Sequence, residues 1–190
     1  MINKLSFYDF DGTLAKSPLP DSGKEQWSQY YGQSYPHNGW WGRPESLDTD
    51  VFNIELYPST TKLIKDDINN PETYVIILTS RIERIKPYIE NILTINGIHP
   101  DIIDVKKDEK SKGEKVIEYV NKFPDVTRVD VYDDNYEREI TSFKSVRDKM
   151  PNHIKYNIFH ASDGMLTLVE RKYNIQNIIA EEIEKYLYGF

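Results

Sequence analysis

Ser6-Phe7-Tyr8-Asp9-Phe10-Asp11-Gly12-Thr13-Leu14 decides the fold of this chain. An apolar run beginning at Leu5 reads as a buried strand, two carboxylates emerge where it ends, and Gly12 follows at once as a loop residue. In an open parallel α/β sheet, ligands bind beyond the carboxyl ends of the strands, so acids at a strand's mouth stand where sites form. Asp9 and Asp11 are two apart on an extended backbone and can point to the same side. Two like charges held that close destabilise each other unless a cation, a proton or a positive side chain intervenes. A bound Mg²⁺ is the simplest remedy.

Downstream of this stretch, strands alternate with helices. Pro58-Ser59-Thr60-Thr61 opens a helix with Leu63, Ile64 and Ile68 as its buried stripe, and Asn69-Asn70-Pro71 stops it. Thr73 to Leu78 is a near-continuous apolar and β-branched run, as in an interior parallel strand, and it delivers Thr79-Ser80-Arg81 at its end. Ile82, Ile85, Ile89, Ile92, Leu93 and Asn96 trace one face of the next helix, with Gly97 just past its end and Arg81 on its first turn. A short strand is expected at Ile102 to Val105, and a helix from about Ser111 carrying Val116, Ile117 and Val120 inward. Thr127 to Tyr132 follows as a strand ending in Asp133-Asp134-Asn135, then a helix from about Tyr136 to Asp148. Ile154 to Phe159 reads as a parallel strand and Met165 to Val169 as a short strand after Ser162-Asp163-Gly164. Ile175, Ile178, Ile179, Ile183 and Leu187 pattern a C-terminal helix. Such alternation implies parallel crossovers and an α/β, doubly wound, mainly parallel sheet with helices on both faces.

The stretch from Leu14 to about Tyr57 breaks the pattern. Pro18, Pro20, Gly23, Gly32, Pro36, Gly39, Gly42 and Pro44 punctuate it, and no helical or strand period lasts. Trp27, Tyr30, Tyr31, Tyr35, Trp40 and Trp41 nevertheless load it with aromatics that disordered segments lack. Both facts fit an ordered, aromatic-rich cap or lid at about residues 15–57, packed over the strand ends.

Composition narrows the function classes. The 190 residues suffice for one domain with a modest insertion. A formal charge of −7 argues against gripping nucleic acid through a broad basic surface, while a local basic pocket stays compatible. The absence of cysteine excludes a disulfide framework and a thiolate metal site. Met1 to Ser6 leads straight into the first strand without a signal-peptide pattern, and no run approaches a membrane span, so a soluble, cytoplasmic protein is expected. The four histidines show no metal-ligand spacing. Ser22-Gly23-Lys24-Glu25 lacks the upstream glycine and the following hydroxyl of a phosphate loop, which rules out a P-loop kinase.

Asp9 to Leu14 resembles motif I of the haloacid dehalogenase (HAD) superfamily, in which DxDGT is typical of the phosphatases. The resemblance implies a single HAD-like Rossmannoid domain over residues 1–190, with its cap where many HAD phosphatases carry the element that chooses the substrate. It also implies Mg²⁺-dependent phosphatase chemistry through an aspartyl-phosphate. Asp9 takes the part of the nucleophile and Asp11 that of the general acid and base. Phe10 would lend its backbone carbonyl to the metal, and Thr13 would orient the loop. Thr79 and Ser80 are similar to motif II, where a hydroxyl and backbone N–H groups hold phosphate oxygens; Arg81 either reaches substrate or forms a surface ion pair. Motif III is a lysine, for which Lys112 and Lys115 compete. Lys112 opposes the dipole of the helix it opens, and so has some reason to be there other than helix stability. Asp133-Asp134 is similar to motif IV, making Asp9, Asp11, Asp133 and Asp134 the candidate Mg²⁺ carboxylates.

Trp40, Trp41 and Arg43 form the most distinctive piece outside these motifs, because aromatic faces beside an arginine can stack a base and contact a phosphate. With Leu14-Ala15-Lys16-Ser17-Pro18 this segment is similar to the Swiss Army Knife RNA repair-like HAD branch, in which a Trp-Trp segment follows a DGTLF-x-x-P type start. The sequence departs from that branch at motif IV, where the acid pair is followed by Asn135 and no clear histidine. The branch implies a nucleotide or a phosphorylated nucleic-acid end as partner. Simple packing of Trp40 and Trp41 onto the core is the competing reading. A small-metabolite phosphatase, a phosphotransferase and a non-catalytic binding protein are the alternatives of function.

Overall fold

The computed structural model describes residues 1–172; the C-terminal helix expected around Ile175 to Leu187 lies outside them. Six strands form one sheet: β1 (Lys4–Tyr8), β2 (Thr73–Ile82), β3 (Ile102–Lys106), β4 (Arg128–Asp133), β5 (Lys155–Ser162) and β6 (Met165–Lys172), in the order β3-β2-β1-β4-β5-β6. The first five run parallel, and β6 returns antiparallel to β5. That return is a tight turn in which Asp163 (φ 50°) and Gly164 (φ 78°) are both left-handed, as a two-residue hairpin requires.

β1 lies between β2 and β4 and is covered on both faces, which explains its unbroken apolar run. Successive residues point to opposite faces, so Phe7 and Tyr8 enter different cores. Helices α2 (Pro58–Ile68) and α3 (Lys86–Ile95) bury Ile64, Ile89, Ile92 and Leu93 with Tyr8 and Ile77. Helices α4 (Lys112–Lys122) and α5 (Thr141–Ser145) bury Val116, Val120 and Phe143 with Phe7 and Val131 on the other face. The chain therefore has the expected α/β architecture.

Three local expectations are corrected. The insertion contains a helix, α1 (Pro20–Tyr31), where no lasting period was expected. Of its residues only Gly23 and Trp27 are buried, a stripe too narrow to register as a period, while Pro20 starts it and left-handed Gly32 caps it. Gly23 is required there, since a Cβ would overlap the ring of Trp40. Second, β2 continues through Ile82, so Arg81 lies on a strand and Ile82 is partly exposed. A short turn of helix, Glu83–Ile85, precedes α3, whose first turn takes Pro87. Third, the helix expected from Tyr136 to Asp148 is broken into a wide turn (Tyr136–Ile140), α5 and a tight turn (Arg147–Lys149). Its buried residues Ile140, Phe143 and Val146 recur every third position.

The insertion is tied down where it starts and ends. Lys16 N–H donates to Glu55 O at 2.9 Å and Tyr57 N–H to Leu14 O at 2.9 Å. Trp27, Trp40, Leu47 and Phe52 belong to the same core as Tyr8 and Ile64. Among the described residues, no helix is long and apolar enough to cross a membrane.

Candidate active site

The site forms where β1, β2 and β4 end together. Asp9 N–H donates to Tyr132 O at 2.9 Å, setting the Asp9 side chain beside the end of β4. The chain then turns sharply: Leu14 and Ala15 N–H both donate to the Phe10 carbonyl, at 3.1 and 2.8 Å. That carbonyl is committed to the loop, which corrects its expected part as a metal ligand. Gly12 has φ 74°, and a Cβ on it would overlap the Asp134 carboxylate. Only glycine satisfies both the turn and that approach.

Helix α4 brings the cation. Ser111 caps it with Glu114 in a reciprocal capping box. Gly113 lets the first turn press against the Ser142 backbone, where a Cβ would overlap the Ser142 carbonyl. From this turn Lys112 Nζ donates to Asp9 Oδ1 at 2.6 Å and to Asp133 Oδ2 at 2.7 Å. Lys112 is thus the lysine that the fold brings to Asp9. Lys115 instead pairs with Asp108 at 2.9 Å and lines a second cavity of about 410 Å³.

Asp9, Asp133 and Asp134 each offer an oxygen within 4.8 Å of the others. This all-oxygen set suits a hard cation such as Mg²⁺. Asp11 stands outside the set: Arg81 holds it by two hydrogen bonds, Nε to Oδ2 and Nη2 to Oδ1, both 2.8 Å. Burial pushes the Asp9 carboxyl well up, with Lys112 opposing and Asp133 and Asp11 adding to the rise. Burial likewise raises Asp133 against the pull of Lys112. Desolvation by the cleft walls, then Asp133, lifts Asp134 to about 6. Burial works to lower the Lys112 pKa, yet Asp9 and Asp133 leave it raised, so it stays cationic. Excess acid held in place is the electrostatic signature of a site that accepts positive charge.

A cavity of about 760 Å³ opens over these residues. Thr79, Ser80, Arg81 and Trp41 line it. Thr79 is buried and its Oγ1 accepts from Arg81 N–H at 3.1 Å. Trp40, 3% exposed, donates its indole N–H to Pro18 O at 2.8 Å and packs against Tyr35 and Phe52, away from the cavity. Arg43 does not line it, and Thr13 is buried beneath the loop, its carbonyl accepting from Thr60 Oγ1 at 2.7 Å.

Lys16, Arg138 and His160 also line the cavity and were not singled out from sequence. His160 ends β5, where its Nε2 lies 2.9 Å from Asp134 O. The strand-end rule that selects Asp9 and Asp133 selects His160 too. Arg138 follows the acid pair by four residues and carries its guanidinium to Glu139 Oε1 at 2.6 Å and Ser80 Oγ at 3.3 Å.

Solved structures share this architecture, two of the following three under the HAD name. A chain of the Pnkp1/Rnl/Hen1 complex matches with TM-score 0.51 and 16% identity over 85% of this chain and 46% of that one. A haloacid dehalogenase-like hydrolase from Streptococcus pneumoniae matches with TM-score 0.50 and 13% identity, covering 82% and 83% of the two chains. The HAD domain of effector protein Lem4 from Legionella pneumophila matches with TM-score 0.51 and 13% identity, covering 96% and 93%. The chain has the HAD-like fold. Among curated proteins, an uncharacterized protein of Saccharomyces cerevisiae is 26% identical in a match that covers 76% of this chain, and the chain spans 37% of that protein's length. No family model matches.

Proposed function

We propose that this chain is a Mg²⁺-dependent phosphomonoester hydrolase working through an aspartyl-phosphate on Asp9, with a nucleotide or a phosphorylated nucleic-acid end as substrate. The observation that carries the reading is the setting of Asp9. It is a buried carboxylate at a strand mouth, 2.6 Å from Lys112 Nζ, beside Asp133 and Asp134 and under an open cavity. A Mg²⁺ held by Asp9, Asp133 and Asp134 would neutralise phosphoryl oxygens brought against these acids. Lys112 fixes the Asp9 carboxylate and offers its charge to the same phosphoryl group. Asp9 attacks phosphorus; Asp11 gives a proton to the departing oxygen, then takes one from the water that cleaves the acyl phosphate. The Thr79 and Ser80 strand end binds phosphate oxygens. Trp41, 40% exposed at the cavity wall, offers a stacking face, and Lys16 and Arg138 supply positive charge at the rim. The volume suits a ligand of nucleotide scale.

The test is phosphate release with and without Mg²⁺ by the native protein and Asp9→Asn. The panel is an aryl phosphate, sugar phosphates, nucleotides and oligonucleotides phosphorylated at either end. Metal-dependent release that Asp9→Asn abolishes is expected, fastest on nucleotides or ends. Preference for sugar phosphates would replace the substrate class and leave the mechanism, and transfer to an added alcohol in place of water would make the protein a phosphotransferase. No release from any of them would overturn the enzyme reading.

A further inference from the structure

Arg81 lines the cavity and forms an ion pair, but a buried one. It is 2% exposed, so it is no surface ion pair, and its guanidinium is already engaged. Nε and Nη2 grip both oxygens of Asp11 at 2.8 Å. Nη1 donates to the Trp41 carbonyl at 2.8 Å and to Ser46 Oγ. Its Cζ lies over the Trp41 ring, 4.9 Å from the ring centre. Ser46 is itself fully buried and donates to Arg43 O at 2.6 Å. One planar cation therefore joins the loop after β1, the end of β2 and the 40–47 turn of the insertion. The fork geometry of arginine matches a carboxylate two-to-two, which a lysine cannot reproduce.

We propose that Arg81 is a positioning residue. It aims the Asp11 carboxyl at the ester oxygen that leaves phosphorus, and the insertion is its abutment, so the insertion enters the chemistry through Arg81 as well as through Trp41. This rests on the phosphatase reading of Asp9 and Asp11. In the first step an Asp9 oxygen bonds to phosphorus as the ester P–O bond breaks. The electron pair leaves on the ester oxygen, which takes its proton from Asp11. In the second, water bonds to phosphorus, its proton passes to Asp11, and the Asp9–phosphorus linkage breaks. Only the first step depends on the leaving group: an alkoxide needs the proton, whereas a nitrophenolate departs without it.

The experiment compares a nucleoside 5′-monophosphate with 4-nitrophenyl phosphate in Arg81→Lys and Ser46→Ala. Arg81→Lys should lower the single-turnover rate of ester cleavage, which reads the first step alone, about tenfold or more on the alkyl ester and less than about threefold on the aryl ester, with KM unchanged, because a positioned proton donor is worth about 10²–10⁴-fold. Ser46→Ala should shift the ratio the same way by less. A rise in KM equal for both esters would make Arg81 a phosphate ligand, and a parallel fall in both single-turnover rates would make it merely structural; either overturns the proposal. The second arm needs no turnover: the Arg81 Nε–H signal in ¹⁵N NMR should exchange slowly with water in the native protein and faster in Ser46→Ala. Rapid exchange in the native protein sinks the proposal. Slow exchange in a protein that cleaves neither ester sinks the phosphatase reading while the anchoring of Asp11 stands.

Discussion

Asp130 and Asp133 lie three residues apart on β4, both fully buried, and their surroundings are opposite in kind. Asp130 meets Arg128 Nη2 at 2.7 Å, Lys4 Nζ at 3.3 Å and Asn157 Nδ2 at 2.5 Å, with the Tyr132 hydroxyl at 3.4 Å. Its neighbour Asp67 takes Lys4 at 2.6 Å and the Tyr8 hydroxyl at 2.7 Å. Two acids share two cations, and the remaining lone pairs meet neutral donors. At the other end, Asp133 and Asp9 share the single Lys112, and Asp134, adjoining both, forms no ion pair among the described residues. A buried acid network that balances its own charge is architecture; one left short of positive charge is a place for a cation or substrate to complete. The contrast makes each cluster testable against the other.

The largest expected effect is Asp9→Asn. Phosphate release should fall by at least about a thousandfold, since no attacking carboxylate remains. Urea unfolding of the metal-free protein should shift by less than about 1 kcal/mol, because the lost contact with Lys112 is offset by relief of desolvation and of repulsion from Asp133. Asp130→Asn should do the reverse. Unfolding should cost about 3 kcal/mol, as Lys4 and Arg128 lose their shared partner, while kcat of the folded protein holds. If Asp9→Asn instead unfolds the protein and Asp130→Asn leaves it stable, the division between the two ends is wrong.

Mg²⁺ tests the same division without turnover. At a concentration about a hundredfold above its dissociation constant it should stabilise the native protein by about 2.7 kcal/mol. The gain should vanish in Asp133→Asn and persist in Asp130→Asn. Thermal melting with and without the ion reads it directly.

The parts of this arrangement that were legible in the sequence are those whose cause is local. Acids after an apolar run, a hydroxyl after a β-branched run and a lysine that opposes the dipole of the helix it opens each carry their meaning within a few positions. Asp9, Thr79 and Asp133 stand out that way, and Lys112 does so beside its rival Lys115. What stayed hidden depends on approach in space. Nothing near Arg81 says that Asp11, seventy positions earlier, will meet it, and nothing in Trp40-Trp41 says that the first ring turns into the core against Gly23 while the second faces the cavity. Helix α1 was missed because glycine and proline were read as breakers, when Pro20 and Gly32 are its start and stop and Gly23 makes room for a ring. His160 stayed hidden for a different reason: histidine spacing signals a metal-ligand pattern, whereas this residue reaches the cavity through its place at a strand end.

The smallest effect concerns the helix that carries Lys112. The Glu114 carboxylate accepts the backbone N–H of Ser111 at 2.9 Å and its hydroxyl at 2.9 Å, and these bonds, the backbone one first, hold its pKa below the ordinary glutamate value. A carboxylate depressed in the folded state stabilises fully above the unfolded value, about 4.3, and loses that contribution as pH falls through the folded one. Ser111→Ala should therefore cost about 1 kcal/mol near neutral pH, as loss of a serine cap does. The gap to the native protein in metal-free urea unfolding should narrow below pH of about 4, where Glu114 no longer answers the cap. Glu114→Gln should be less stable than the native protein at neutral pH and converge with it in acid. A gap that stayed constant with pH would mean that the reciprocal cap contributes only through Ser111. Lys112 would then owe its position to Gly113 against Ser142 and to its two acids, with no help from Glu114.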